Sequence, residues 1–154
     1  MDNEQRKEIE KELWAWGSAL KDCERRRREI KRLLEQAADA ENVLHSQIIT
    51  GIPHGTDVGD PTGKAVIMRD NTLRRIAQLT DEINAIMQRK ERMDMLISRL
   101  PENMQALLEM RHVRGWRMSI EIPMHTYITR QSAHRWYNAA LEMLLHYVTK
   151  DGVE

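Results

Sequence analysis

The fold is decided by residues 4–49, EQRKEIEKELWAWGSALKDCERRRREIKRLLEQAADAENVLHSQII. Apolar residues recur through this stretch at alternating intervals of four and three, with no proline and a single glycine. They are Ile9, Leu13, Trp16, Leu20, Cys23, Ile30, Leu34, Ala37, Leu44 and Ile48. Arg27 and Glu41 occupy the two positions that would complete the series. This heptad spacing predicts one long helix, which needs a partner helix to cover its apolar stripe.

A second apolar series at helical spacing runs through residues 64–99 and supplies that partner. Its members are Val66, Leu73, Ile76, Leu79, Ile83, Ile86, Met93 and Ile97. Between the two series, residues 50–63 read TGIPHGTDVGDPTG, a glycine- and proline-rich composition typical of a loop. We expect a long, coiled-coil-like antiparallel hairpin over residues 1–99, with the loop at its tip. Pairing of the same helices between two chains is the alternative arrangement, and the two can occur together. We expect the protein to form a homo-dimer through this hairpin.

The remaining residues, 100–154, predict a separate bundle of shorter helices. Pro101 starts a helix over residues 102–113, which buries Met104, Leu107, Leu108 and Val113, and Gly115 ends it. Ser119 and Thr129 are the expected N-caps of a short helix that reaches His125 and of a long helix over residues 130–149. The order of helix, glycine turn, short helix, tight turn and longer helix is that of a helix-turn-helix domain. The whole chain is therefore predicted to be all-α.

The first turn of the last helix carries the side chains that such a domain uses to read DNA. Arg and Gln can form paired hydrogen bonds with guanine and adenine. The candidate DNA-binding residues here are Arg117, Ser119, Thr129, Arg130, Gln131, Ser132, His134 and Arg135. Residues 111–136 contain five arginines and one acid, Glu121, although the net charge of the whole chain is zero. The neutral total therefore hides a locally basic module, as expected for a protein that binds double-stranded DNA.

Composition argues against several other classes of protein. No apolar run is long enough to cross a membrane, and the charged first twelve residues do not resemble a secretory signal. A single cysteine, Cys23, cannot form an internal disulfide, so a cytoplasmic location is expected. His54, Asp57 and Asp60 share the loop but match no strong metal-binding spacing. We therefore expect no enzyme activity, no metal and no cofactor.

Two stretches together resemble a known family. Residues 100–144, LPENMQALLEMRHVRGWRMSIEIPMHTYITRQSAHRWYNAALEML, resemble region 4 of bacterial sigma factors in four features. These are Leu100-Pro101, the set Leu108, Arg111 and Gly115, the pair Glu121-Ile122, and Ala140-Leu141. Residues 51–66, GIPHGTDVGDPTGKAV, lie between two heptad-bearing helices and resemble the Pro-His-Gly loop of the RinA/ArpU-like regulators of phages and prophages.

The resemblance implies a phage or prophage transcriptional regulator in a bacterial host cell, an activator of late genes that acts with RNA polymerase. It places residues 129–132, His134 and Arg135 on the recognition helix. The sequence departs from the family at Pro123, where alanine is usual, and at Thr126, where an apolar residue is usual. We therefore expect the short helix to be distorted or its start to be displaced.

Two further binding classes fit the same pattern of helices. A phage terminase small subunit also joins a helix-turn-helix to helices that oligomerise, and it would form a ring on a packaging site. A coiled-coil adaptor would use the hairpin alone and bind no DNA. The operator, the target promoter, the oligomeric state and the choice between activation and repression do not follow from the sequence.

Overall fold

The computed structural model describes residues 1–50 and 61–152, with side chains described for residues 1–39 and 63–152. Five α-helices and one π-helical segment follow one another, and the described residues contain no strand. They are α1 (Asn3–Thr50), α2 (Pro61–Ser98), α3 (Glu102–Leu108), the π-helical segment Glu109–Val113, α4 (Glu121–His125) and α5 (Arg130–Asp151). The all-α prediction is confirmed. Most of the predicted loop, residues 51–60, lies outside the described residues, as do His54, Asp57 and Asp60.

The chain divides into two compact units, and each is described by itself. The bundle unit comprises Met1–Lys21 and Ile86–Glu154, and the hairpin unit comprises Asp22–Ala85. These units differ from the division into residues 1–99 and 100–154. The reason is that the first turns of α1 and the last turns of α2 share one core with the C-terminal helices.

The hairpin unit pairs α1 and α2 in antiparallel directions. Cys23 and Ile83 are buried against each other, with the Cys23 Sγ atom 4.0 Å from the Ile83 carbonyl oxygen. Three residues further along α1, the Arg26 guanidinium lies 2.9 Å from a Glu82 carboxylate oxygen. Glu29 pairs with Arg75 at 3.4 Å. Residue numbers thus rise along α1 while those of their partners fall, as the predicted hairpin requires.

The predicted heptad stripe is wrong at several positions within these helices. Leu20 in the bundle unit is 60% exposed, whereas its neighbour Ala19 is buried. In the hairpin unit, Leu34, Val66 and Leu73 are likewise exposed. An α-helix with 3.6 residues per turn drifts by about 20° per heptad away from a strict seven-residue repeat. Along α1, residue 19 is buried in place of residue 20, whereas Cys23 is buried as predicted.

The core of the bundle unit lies between the ends of the long helices and the C-terminal helices. Ile9 and Leu13 of α1 join Leu107 and Leu108 of α3 in one apolar cluster. The α5 side of the same cluster consists of Ala133, Tyr137, Ala140, Leu141 and Leu144. On α5 the predicted apolar face is therefore confirmed over most of its length, although Val148 is 45% exposed.

Gly17 allows α1 to approach the π-helical segment very closely. A Cβ atom at position 17 would lie 2.0 Å from the carbonyl oxygen of His112 and 2.5 Å from its carbonyl carbon. No side chain can occupy that space, so glycine is required for backbone contact here.

Polar contacts fix the ends of the long helices within the same unit. The Trp16 indole N–H donates a hydrogen bond of 2.7 Å to Asp94, whose second carboxylate oxygen is 2.7 Å from the Lys90 ammonium. Arg99, just after α2, pairs with Asp151 at the end of α5 at 3.0 Å. Along the described residues, neither long helix contains a segment apolar enough to cross a membrane.

Candidate nucleic-acid interface

The helix that precedes the candidate DNA-binding region changes its winding before it ends. α3 passes at residue 109 into the π-helical segment, and the Arg114 N–H then bonds the Glu109 carbonyl at 3.1 Å. Gly115 follows with φ +73°, in the left-handed region that favours glycine, so the predicted stop is confirmed. The Trp116 N–H donates back to the Met110 carbonyl at 2.9 Å. The wider turn leaves Val113 41% exposed, which corrects its expected burial.

An ion pair on the surface organises the start of α4. The Glu121 carboxylate accepts hydrogen bonds from the Arg117 guanidinium at 2.9 and 3.1 Å and from the Arg117 backbone N–H at 3.0 Å. These bonds lower the pKa of Glu121 to about 2 and raise the pKa of Arg117. The N-cap position of α4 is Ile120, which forms no side-chain cap. The predicted cap by Ser119 is therefore wrong, and Glu121 itself reaches back toward the preceding turn.

The two departures from the family pattern are accommodated by local geometry. α4 begins at Glu121, one residue later than a helix capped by Ser119 would begin, so Pro123 lies in its first turn. Backbone N–H groups in a first turn have no partner within the helix, and proline therefore costs no hydrogen bond there. Thr126 donates its hydroxyl to the Ile122 carbonyl at 2.6 Å and accepts the Ile128 N–H at 3.1 Å. Its side chain thus forms the tight turn toward α5, a role that an apolar residue could not perform.

Thr129 caps α5 as predicted. Its backbone is extended (φ −71°, ψ 157°), and its hydroxyl accepts the Ser132 N–H at 3.2 Å. Beyond the cap, α5 separates into two faces. Ala133 and Tyr137 are buried, while Arg130, Gln131, His134 and Arg135 are exposed. The exposed residues are related by intervals of three and four and form one continuous polar surface.

The cations of this polar surface are available to a ligand. Within the described residues, neither Arg130 nor Arg135 forms an ion pair. Arg117 is exposed as well, but its guanidinium is held by Glu121. Arg111 and Arg114 lie over the rings of Trp14 and Trp116, at 4.9 and 5.1 Å from the ring centroids. The five arginines of this region therefore have different surroundings, which the sequence could not distinguish.

A buried pair of polar side chains supports α5 from behind. The His112 Nε2 atom lies 3.1 Å from the Tyr137 hydroxyl, and the Trp14 ring contacts the His112 ring edge-on at a centroid distance of 4.5 Å. His112 is only 4% exposed. Burial, with a smaller effect from Arg111, lowers its pKa from 6.5 to about 4. Burial also raises the pKa of Tyr137, so both groups are neutral near pH 7.

The structure brings most of the predicted site residues together at one end of α5. Thr129, Arg130, Gln131, Ser132, His134 and Arg135 share its first two turns, while Arg117 and Ser119 lie before α4. Sequence reasoning did not identify Tyr127, whose side chain is fully exposed in the turn two residues before the Thr129 cap. Its position next to a threonine cap and a basic helix start was the available signal.

The described residues include no cluster of three or more His, Cys, Asp or Glu side chains that could hold a metal ion. The start of α5 carries exposed cationic, amide and imidazole side chains on one face, and its opposite face is buried and apolar. No protein-family model, curated protein or solved structure matches this chain.

Proposed function

We propose that this chain is a sequence-specific DNA-binding transcriptional regulator that reads the major groove with the first turns of α5. The observation that carries the proposal is the polar surface of Arg130, Gln131, His134 and Arg135. It combines side chains able to bind base edges and phosphates with a buried opposite face that fixes their direction. The capped N-terminus of α5 adds backbone N–H groups that favour a phosphate.

The biological setting that we propose rests on the resemblance to sigma region 4 and to the RinA/ArpU-like regulators. In that setting the protein belongs to a phage or prophage, works in the cytoplasm of a bacterial host and activates late genes together with RNA polymerase. We further propose that it self-associates through its helical hairpin. Two copies would then place two recognition helices on a pair of half-sites.

The arginines have different surroundings, so we expect them to contribute unequally to DNA binding. In a duplex selected by the wild-type protein, Arg130→Ala with Gln131→Ala should weaken binding by about 1–3 kcal/mol for each lost base contact. Arg117→Ala should weaken it less, because Glu121 already binds that guanidinium. Fluorescence anisotropy at fixed salt measures each affinity.

Gln88→Ala with Arg92→Ala is the matched control, since both residues are exposed on α2. Equal affinities for the Arg130/Gln131 variant, the control and the wild type would refute the assignment of α5. Binding should also weaken steeply as salt rises, because bound phosphates release counterions.

The same samples distinguish the alternative functions. A ring-shaped oligomer that prefers one packaging site would favour a terminase small subunit. A protein that binds no duplex even at low salt would favour the coiled-coil adaptor.

A further inference from the structure

A groove on the bundle unit, away from the face of α5 that carries Arg130, has no assigned occupant. Its volume is about 540 Å³, and it lies between the first part of α1, the last part of α2, and α3 with the π-helical segment. Its floor includes Leu20, which is 60% exposed, and Val113, which is 41% exposed. Large apolar side chains this exposed in a concave site are typical of an interaction surface.

The charge of the groove is negative. Glu102 and Glu109 lie along one wall, both are exposed, and neither has an ion pair within the described residues. The other two charged groups, Lys90 and Asp94, pair with each other at 2.7 Å and so cancel. The exposed apolar residues and the two unpaired glutamates of the groove therefore suit a helix that carries an apolar side chain next to unpaired cations.

The chain itself contains a helix surface of this kind. In the run of four arginines on α1, Arg25, Arg26 and Arg28 pair with acids of the hairpin unit. Arg27 has no such partner within the described residues, and neither has Lys31, one turn further along.

Leu34 follows seven residues after Arg27 and is 52% exposed. Residues 27, 31 and 34 are spaced by four and three, so they share one face of α1. We call them the Arg27 stripe. Arg27 and Leu34 are seven residues, or about 10 Å, apart along the helix, and Glu102 and Glu109 are also seven residues apart.

We propose that the Arg27 stripe of one copy docks in the groove of a second copy, with Leu34 against the apolar floor and the two cations against Glu102 and Glu109. Each copy has both surfaces, and the dimer that we propose is a two-fold dimer in which the contact occurs twice. The inference rests on the self-association part of the proposed function and is independent of DNA binding.

Charge reversal in the full-length chain tests the pairing. Wild type should sediment at twice the 18.1 kDa chain mass. Glu102→Lys with Glu109→Lys should weaken the dimer about a hundredfold, because like charges then face each other. Arg27→Glu with Lys31→Glu should do the same. Combining all four substitutions in one chain should restore the dimer.

Controls keep the experiment interpretable. Glu91→Lys with Glu142→Lys reverses two exposed glutamates outside the groove and should leave the dimer intact. Circular dichroism verifies that each variant is folded, and Leu34→Ser tests the apolar contact without changing charge.

Three results would overturn the inference. A wild-type monomer at every concentration would refute both the inference and the proposed self-association. If neither charge reversal weakens the dimer, or if the variant with all four substitutions does not dimerise, the docking of the Arg27 stripe in the groove is refuted, but self-association is not. Loss of DNA affinity without loss of the dimer in Arg27→Glu with Lys31→Glu would assign the stripe to phosphate.

Discussion

Replacing Gly17 with alanine separates two opposing effects in the bundle unit. In an exposed helix interior, alanine in place of glycine stabilises by about 0.5–1 kcal/mol. At position 17 the added Cβ would lie 2.0 Å from the backbone carbonyl oxygen of His112. Cβ atoms in protein structures essentially never lie within 3.0 Å of such an atom. The atom that obstructs it is backbone and cannot rotate away.

The packing cost should therefore exceed the gain in helix propensity. Overpacking costs about 1–3 kcal/mol, and a backbone obstacle places this site at the upper end. Subtracting the propensity gain leaves a net loss of about 2 kcal/mol in the free energy of unfolding. The loss should also disturb the base of α5, because His112 contacts Tyr137.

Urea denaturation followed by tryptophan fluorescence measures this loss, since all four tryptophans lie in the bundle unit. Ala15→Gly, at an exposed position on the same helix, calibrates the propensity effect and should cost about 0.5–1 kcal/mol. A Gly17→Ala protein as stable as the wild type, or more stable, would show that α1 does not approach His112 so closely.

The remaining predictions concern pH and helix capping. Folding lowers the pKa of His112 from 6.5 to about 4, so between these pH values the unfolded chain binds a proton at His112 and the folded chain does not. The free energy of unfolding should therefore fall as the pH drops from 6.5 toward 4, by up to about 3 kcal/mol. His112→Gln should remove most of that fall in urea titrations at pH 7 and pH 5, and an unchanged pH dependence would contradict the cause. Thr129→Ala should cost about 1 kcal/mol through loss of the bond to the Ser132 N–H, whereas Thr129→Ser should restore stability. Equal melting temperatures for all three proteins would argue against the cap.

Much of the fold follows from the sequence because its strongest signals are local. Heptad spacing indicated the two long helices, and Thr129 was identifiable as a cap from residue type and position. The sequence could not indicate that Leu20 and Leu34 face away from the buried side, because a seven-residue pattern does not specify where a 3.6-residue helix drifts. The winding change at Glu109–Val113 has no residue signature, and Val113 at its end is exposed.

The sequence indicated that the candidate side chains lie together at the start of α5, but not their individual surroundings. Arg117 and Arg130 have the same side chain, and the structure shows that Glu121, four residues after Arg117, binds the first of them. Pro123 and Thr126 suggested a distorted short helix. In the structure, α4 starts late enough to place Pro123 in its first turn, and Thr126 uses its hydroxyl to bond the Ile122 carbonyl at the end of the helix. The accommodation of Pro123 depends on where α4 begins, and helix boundaries are the least predictable feature of a sequence.

Selection from a random duplex DNA library with the purified protein tests the central claim most directly. The wild type should enrich one defined motif, and Arg130→Ala with Gln131→Ala should lose the motif or relax it at the contacted positions. Enrichment of the same motif by both proteins would exclude α5 as the reading helix. Failure of the folded wild type to enrich any sequence, at low salt as well as at physiological salt, would contradict sequence-specific DNA binding itself.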